Sequence, residues 1–259
     1  MNTTQTANTD HNYESQSSHR SSPSRSRVIL CWCLHLYTAL GLPINLLALS
    51  FLTQGDAKTF FVLNMFAVII DATDGTLARY LKVKEVIPHF DGAKLDDLID
   101  YLTFSFLPIV ALAYLELVPW SWWPLLGAML IASAYGFCQE SAKTEDSFVG
   151  FPSYWNLVVV HIYLLAFPLW LIMGLLIFLS VLTFVPVHFV YPTRNQTLMK
   201  TTIVGGVIYT LTLLFSVFPP FEEFTWWGAR LSLLYPIYYT ILSIFHHRRI
   251  HSSLVVQTR

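Results

Sequence analysis

Long apolar runs alternate with short polar stretches from about residue 28 to residue 250. A bilayer core about 30 Å thick needs about 20 helical residues to cross it. On that measure the pattern predicts spans near 30–52, 58–78, 96–118, 120–138, 154–171, 173–190, 201–219 and 226–245. The fifth and sixth share one nearly uncharged run of 38 residues, Tyr154 to Tyr191. As a single helix it would be roughly 57 Å long at about 1.5 Å per residue. It must therefore turn back, somewhere between Phe167-Pro168 and Gly174. Residues 1–27 are rich in Ser, Thr, Asn and Arg, and no apolar run interrupts them. They cannot bury enough surface to fold alone and read as a disordered cytoplasmic tail. The first apolar stretch comes too late and is too long for a secretory leader.

About eight spans put both chain ends on one side. With the N-terminus inside, the inner segments hold Arg20, Arg25, Arg27, Arg79, Lys82, Lys84, Lys94, Lys143, Arg194, Lys200, Arg248, Arg249 and Arg259, 13 of the 15 basic residues. That bias orients the chain with both termini cytoplasmic. Trp120, Trp122, Trp123, Trp226 and Trp227 fall at outer helix starts, as interfacial anchors do.

Composition agrees with the pattern. Apolar residues make up 54% and charged residues 12%, against about 25% charged in soluble domains. The expected class is an all-α integral membrane protein. A net charge of −1 points to no nucleic acid. Cys31, Cys33 and Cys138 are odd in number and match no zinc or redox spacing, so they read as small apolar fillers.

The acids are not scattered. Seven of the 16 lie between positions 71 and 100. Asp91, Asp97 and Glu85 read as solvated interfacial acids. The other four have helical spacing: Asp71 and Asp74 share one face, Asp96 and Asp100 another. A short inner loop makes the two helices antiparallel neighbours. Four facing carboxylates repel unless a cation lies between them, and oxygen-only ligands suit Mg²⁺ or Mn²⁺. Gly75, Ala78 and Gly92 mark the same faces and leave room for a ligand. Arg79 stands at the membrane edge, where it would meet a phosphate or snorkel.

The full string is Asp71-x-x-Asp74-Gly75-x-x-Ala78-Arg79, then Gly92-x-x-x-Asp96-x-x-x-Asp100. It resembles the signature of the CDP-alcohol phosphatidyltransferases, with every fixed position filled. Twelve residues separate Arg79 from Gly92, more than is usual in that superfamily. This spacing, with the text Val83-Lys84-Glu85-Val86-Ile87-Pro88 and Phe90-Asp91-Gly92-Ala93, resembles the bacterial phosphatidylcholine synthases. So do Ser133 to Gln139, Gly150 to Asn156, and Leu182 to Pro186. The likeness runs from about His35 to the last span.

The resemblance implies a six-helix core, 28–190, around a polar cavity open to the cytoplasm. Two extra helices, 198–246, complete one transmembrane catalytic domain, 28–250, and 251–259 form a cytoplasmic tail. The implied activity transfers the phosphatidyl group of CDP-diacylglycerol to choline, giving phosphatidylcholine and CMP. Asp71, Asp74, Asp96 and Asp100 would hold one or two divalent metals, with Asp100 also the general base. Asp74, Gly75, Ala78, Arg79 and Gly92 would line the CDP-lipid site. The implied setting is a bacterial inner membrane, multi-pass, with the site facing the cytoplasm. Partners are CDP-diacylglycerol, choline and membrane lipid, and a homodimer is left open.

Choline is a fixed cation without N–H donors, suited to an aromatic cage. Candidate rings are Tyr135, Tyr154 and Trp155, with Tyr101 as a fallback; Phe137 also borders the inner face. Gln139 to Asp146 bridge the fourth and fifth spans, where an acid would assist choline and Lys143 would meet phosphate. His35 and His161 lie within spans and read as helix-to-helix hydrogen bonds.

Rival readings are a sister transferase with a serine, inositol or glycerol phosphate acceptor, an intramembrane prenyltransferase, and a cation or metal transporter. A phosphorylated acceptor would want more Lys and Arg at the mouth. A prenyltransferase would want more acids in its motifs. A transporter would place its carboxylates near the bilayer midplane.

Overall fold

The computed structural model describes residues 23–139, 147–190, 199–219 and 222–257. Ser24 caps helix α1 (Arg25–Ala39), which passes through Leu40 into α2 (Gly41–Thr53). Asp56 caps α3 (Ala57–Leu81) by accepting from Thr59 N at 3.0 Å. Lys82, left-handed at φ 53°, ends α3 and starts the single turn α4 (Val83–Val86). Asp91 then caps α5 (Gly92–Asp100), accepting from Lys94 N at 3.1 Å. α5 runs through a π-helical segment (Tyr101–Phe106) into α6 (Leu107–Tyr114). A 3₁₀ turn (Trp120–Trp122) leads into α7 (Trp123–Cys138). Strand β1 (Ser147–Val149) precedes α8 (Trp155–Leu165) and α9 (Leu169–Leu182); β2 (His188–Val190) follows. α10 (Met199–Val217), α11 (Glu222–Ser232) and α12 (Leu234–Gln257) complete the order.

Four of these helical stretches are long and apolar enough to cross a bilayer: Arg25–Thr53, Ala57–Leu81, Gly92–Tyr114 and Met199–Val217. α8 and α9 are shorter apolar helices. Large apolar side chains such as Leu46, Ile131, Trp170 and Phe245 face outward. In water each would forgo about 1.5–3 kcal/mol of burial; against lipid tails the exposure costs nothing comparable. The protein is a multi-pass α-helical membrane protein.

The predicted break in the long apolar run falls at Ala166 to Pro168. Ala166 is left-handed at φ 47°, and Pro168 cannot donate to the preceding helix. The sixth span does not reach residue 190, because α9 ends at Leu182 and β2 pairs antiparallel with β1. The all-α bundle thus carries one short two-stranded ladder. Nor is the eighth span one helix: the chain breaks at Leu233, three residues before Pro236. α12 then continues to Gln257, so most of the expected tail 251–259 is helical. Arg25 to Arg27 likewise belong to α1, while residues 1–22 lie outside the described residues.

The ladder is stapled by the last helix. Val190 N donates to Ser243 Oγ at 3.2 Å, Tyr239 Oη to Val190 O at 2.9 Å, and His188 N to His247 Nδ1 at 3.3 Å. Tyr239, Ser243 and His247 follow each other at i, i+4 and i+8, one face of α12. They satisfy backbone groups that a two-stranded ladder leaves open on its outer edge. Elsewhere a large apolar core includes Leu52, Phe60, Leu112, Met129, Trp155 and Leu213. A smaller one joins Cys31 and Leu34 of α1 to Val83, Val86 and Ile87. The extra residues between Arg79 and Gly92 thus form a turn that packs on α1.

Candidate active site

α3 and α5 bring three carboxylates together. One oxygen each of Asp71, Asp96 and Asp100 lies within 4.8 Å of the others, and all three residues are half-buried. Like charges about 4 Å apart cost about 4 kcal/mol per pair in an effective dielectric near 20. A divalent cation removes that repulsion, and hard oxygen donors suit Mg²⁺ or Mn²⁺.

Asp74, expected as a fourth member, is outside this group. Its residue is 4% exposed, and the Thr38 hydroxyl of α1 hydrogen-bonds its carboxylate. Its Oδ2 has no hydrogen-bond partner among the described residues. A buried acceptor left so is costly, and a cation beside the three-carboxylate group would satisfy it.

The helices are held in this register by polar contacts inside the apolar bundle. Asn64 of α3 donates to Thr103 O at 2.8 Å, and Asn45 of α2 donates to Thr103 Oγ1 at 2.8 Å. Thr103 sits in the π segment directly after Asp100, where the helical ladder is widened. π segments recur at functional sites because they re-aim the flanking side chains. On the other side, Tyr37 Oη and Thr73 Oγ1 share a 2.8 Å hydrogen bond between α1 and α3.

The small residues play different parts. A Cβ built on Gly75 would meet only Arg79 Nη1, at 3.5 Å. The Arg79 side chain folds back along α3 over Gly75, and its Nη2 donates to Thr76 Oγ1 at 3.0 Å. A Cβ on Gly92 would lie 2.5 Å from His35 Cε1. Gly92 thus admits the His35 ring rather than bordering open space. Ala78 packs against the small core of α1 and α4.

His161 makes its expected bond, pairing with Ser232 Oγ at 2.9 Å. His35 does not: it packs on Phe90 and Trp32, and its Nε2 has no hydrogen-bond partner among the described residues.

The three candidate choline rings separate. Trp155 is fully buried, its Nε1 donates to Ser133 Oγ at 2.8 Å, and it belongs to the main core. It has no face for a ligand. Tyr135 is exposed and pairs with Phe184, its ring centroid 5.0 Å away. Tyr101, the fallback, reaches across to Leu130 O of α7. Tyr154 is the hub of a ring group, with Phe104, Phe148 and Tyr239 centroids at 5.9, 6.4 and 6.4 Å. Phe189 joins through Tyr239 at 6.3 Å. Glu140 to Asp146, including Lys143, lie outside the described residues, as does Arg194.

No family model matches the chain. Curated relatives do. The chain is 35% identical to the phosphatidylcholine synthase of Borreliella burgdorferi over 223 residues, covering 84% of this chain and 94% of that protein. The chain belongs to the phosphatidylcholine synthase family. The synthase of Pseudomonas aeruginosa is 35% identical over 183 residues, 70% of this chain and 77% of its own. That of Legionella pneumophila is 36% identical over 189 residues, 72% and 74%.

Seen as a phosphatidylcholine synthase, the chain holds supporting residues that spacing alone misses. Thr38, Asn45, Asn64 and Thr103 hold the carboxylate helices in place. The two asparagines had a signal, being amides in otherwise apolar spans. Phe104, Phe148, Phe189 and Tyr239 had none, because aromatic residues are abundant throughout a membrane protein.

Proposed function

We propose that this protein is a phosphatidylcholine synthase that moves the phosphatidyl group from CDP-diacylglycerol to choline. The observation that carries the reading is the convergence of Asp71, Asp96 and Asp100 in a member of this family. The choline oxygen attacks the phosphorus that bears diacylglycerol. The bond from that phosphorus to the bridging oxygen breaks, and CMP leaves with the electron pair. The proton of the choline hydroxyl goes to the Asp100 carboxylate, since an alcohol is a weak nucleophile at neutral pH.

Asp71, Asp96 and Asp100, with the spare oxygen of Asp74, would hold one or two divalent ions, Mn²⁺ or Mg²⁺. Bound there, such an ion would neutralise charge gathering on the departing phosphate. Arg79, folded over Gly75, meets the pyrophosphate there, and the missing side chain at Gly75 leaves room for both. Ala78 packs on α1 and α4, and Gly92 admits the His35 ring, so that α1, α4 and α5 close on α3.

In this reading residues 28–250 form a single catalytic domain of about eight passes. Its termini and carboxylates face the cytoplasm, in the inner membrane of a bacterium. CDP and choline then arrive from water while the acyl chains stay in lipid. The test is CMP release from CDP-diacylglycerol by the purified protein. Release should require choline. Release with serine, inositol or glycerol phosphate, and none with choline, would replace this reading with a sister transferase.

A further inference from the structure

The carboxylates account for displacement chemistry, which any alcohol acceptor would share. They do not account for selection of a quaternary ammonium. The ring group around Tyr154 is placed to do so. Phe104 follows Asp100 by four residues on one continuous helix, about one turn further on. Choline's two-carbon arm keeps its ammonium close to the hydroxyl that Asp100 would deprotonate, so its recognition site must lie near this helix. Phe104 is buried, while Phe148, Tyr154 and Tyr239 are half-buried. The rings around Tyr154 are inclined at 55°, 80° and 59° rather than stacked. An alkylammonium that meets the face of such a ring is attracted by the ring quadrupole.

The group depends on elements outside the six-helix core. Phe148 and Phe189 are direct cross-strand partners in the β1–β2 ladder. Tyr239 belongs to α12, and its hydroxyl binds Val190 O and is hydrogen-bonded by Tyr154. We propose that Tyr239 of the C-terminal helix, with Tyr154 and Phe148, forms the ammonium-recognising wall of the acceptor site. α12 thereby determines acceptor specificity. This rests on the choline-transferase reading above.

The experiment compares choline with 3,3-dimethylbutan-1-ol, its uncharged isostere, as acceptors in CMP release. Only the charged acceptor gains from ring faces. Tyr239→Leu should raise choline KM roughly 2- to 30-fold. It should lower the choline-to-isostere ratio of kcat/KM by the same factor and leave the CDP-diacylglycerol KM unchanged. Tyr239→Phe keeps the ring and loses the hydroxyl, and should hold the wild-type ratio. Equal losses for both acceptors in Tyr239→Leu would make the ring structural and overturn the proposal, as would an unchanged ratio. If Tyr239→Leu is recovered unfolded, the same ratio read on Phe148→Leu decides, a wild-type value overturning it. A wild-type protein that releases no CMP with choline removes the underlying reading, and this one with it.

Discussion

The carboxylate group and the ring group meet on the helix that carries both Asp100 and Phe104, yet they are assembled differently. The carboxylates come from α3 and α5, joined by a short connection, with Asp96 and Asp100 four residues apart. The rings come from the π segment, both strands, the start of α8 and α12, spread from position 104 to position 239. Two neighbouring helices can fix metal-binding oxygens within a few ångströms, because each helix sets its own side-chain directions. A wall for a bulky cation needs faces from several directions, which no single helix pair supplies. The contrast divides shared chemistry from acceptor choice, and each part can be broken separately.

The largest effect should come from the carboxylate side. Excess EDTA should abolish CMP release, and Mn²⁺ or Mg²⁺ should restore it. Full turnover in EDTA would remove the metal from the account. Asp100→Asn should lower kcat by about 10²- to 10⁴-fold, the usual worth of a positioned proton acceptor. Choline and its uncharged isostere should lose equally, because the proton is the same. A loss confined to choline would merge the two walls into one.

Much of the carboxylate side was legible because helical spacing is local. Asp96 and Asp100 follow from i, i+4 placement on one span, and Asp71 from the facing end of the adjacent span. Asp74 also takes a hydrogen bond from Thr38, on another helix, and no local spacing reports that partner. The ring side was hardly legible. A three-residue strand such as His188–Val190 has too few positions to show alternation, and its apolar text reads as the continuation of α9. The π segment has the same apolar composition as the helix around it. Tyr154 was a candidate by its place at the inner face. Tyr239 was not, since its ties to β2 and Tyr154 join segments about 50 to 85 residues apart, which no local pattern reports.

A smaller effect should follow from breaking the ring wall at its corner. Gly150 has φ 84°, and a Cβ there would collide with the Thr183 carbonyl oxygen. Its N–H also donates to Val187 O at 2.9 Å, closing the end of the ladder. A backbone neighbour cannot swing aside as a side chain can. Gly150→Ala should therefore displace β1 and Phe148, raise choline KM several-fold and lower the melting temperature. A backbone strain of about 1–3 kcal/mol is expected. The CDP-diacylglycerol KM should stay near the wild-type value. A matched rise in both KM values would mean that the ladder supports the whole site.

The smallest effects should separate the two glycines of the carboxylate helices. Gly92→Ala must push its new Cβ against the His35 ring, which is itself wedged by Phe90 and Trp32. Overpacking of this kind costs about 1–3 kcal/mol. The shift should carry Asp96 with the start of α5, so stability and kcat fall together. Gly75→Ala meets only the far end of the flexible Arg79 side chain and should change stability little. Gly75→Leu extends into the space beside that guanidinium. It should raise the CDP-diacylglycerol KM about twofold while the protein stays folded. Thermal melting and the two KM values, read on all three variants, check this. If Gly75→Leu leaves the CDP-diacylglycerol KM unchanged, the nucleotide does not pass over Gly75. If Gly92→Ala is neutral, the α5 start is not seated on His35 tightly enough to set the position of Asp96.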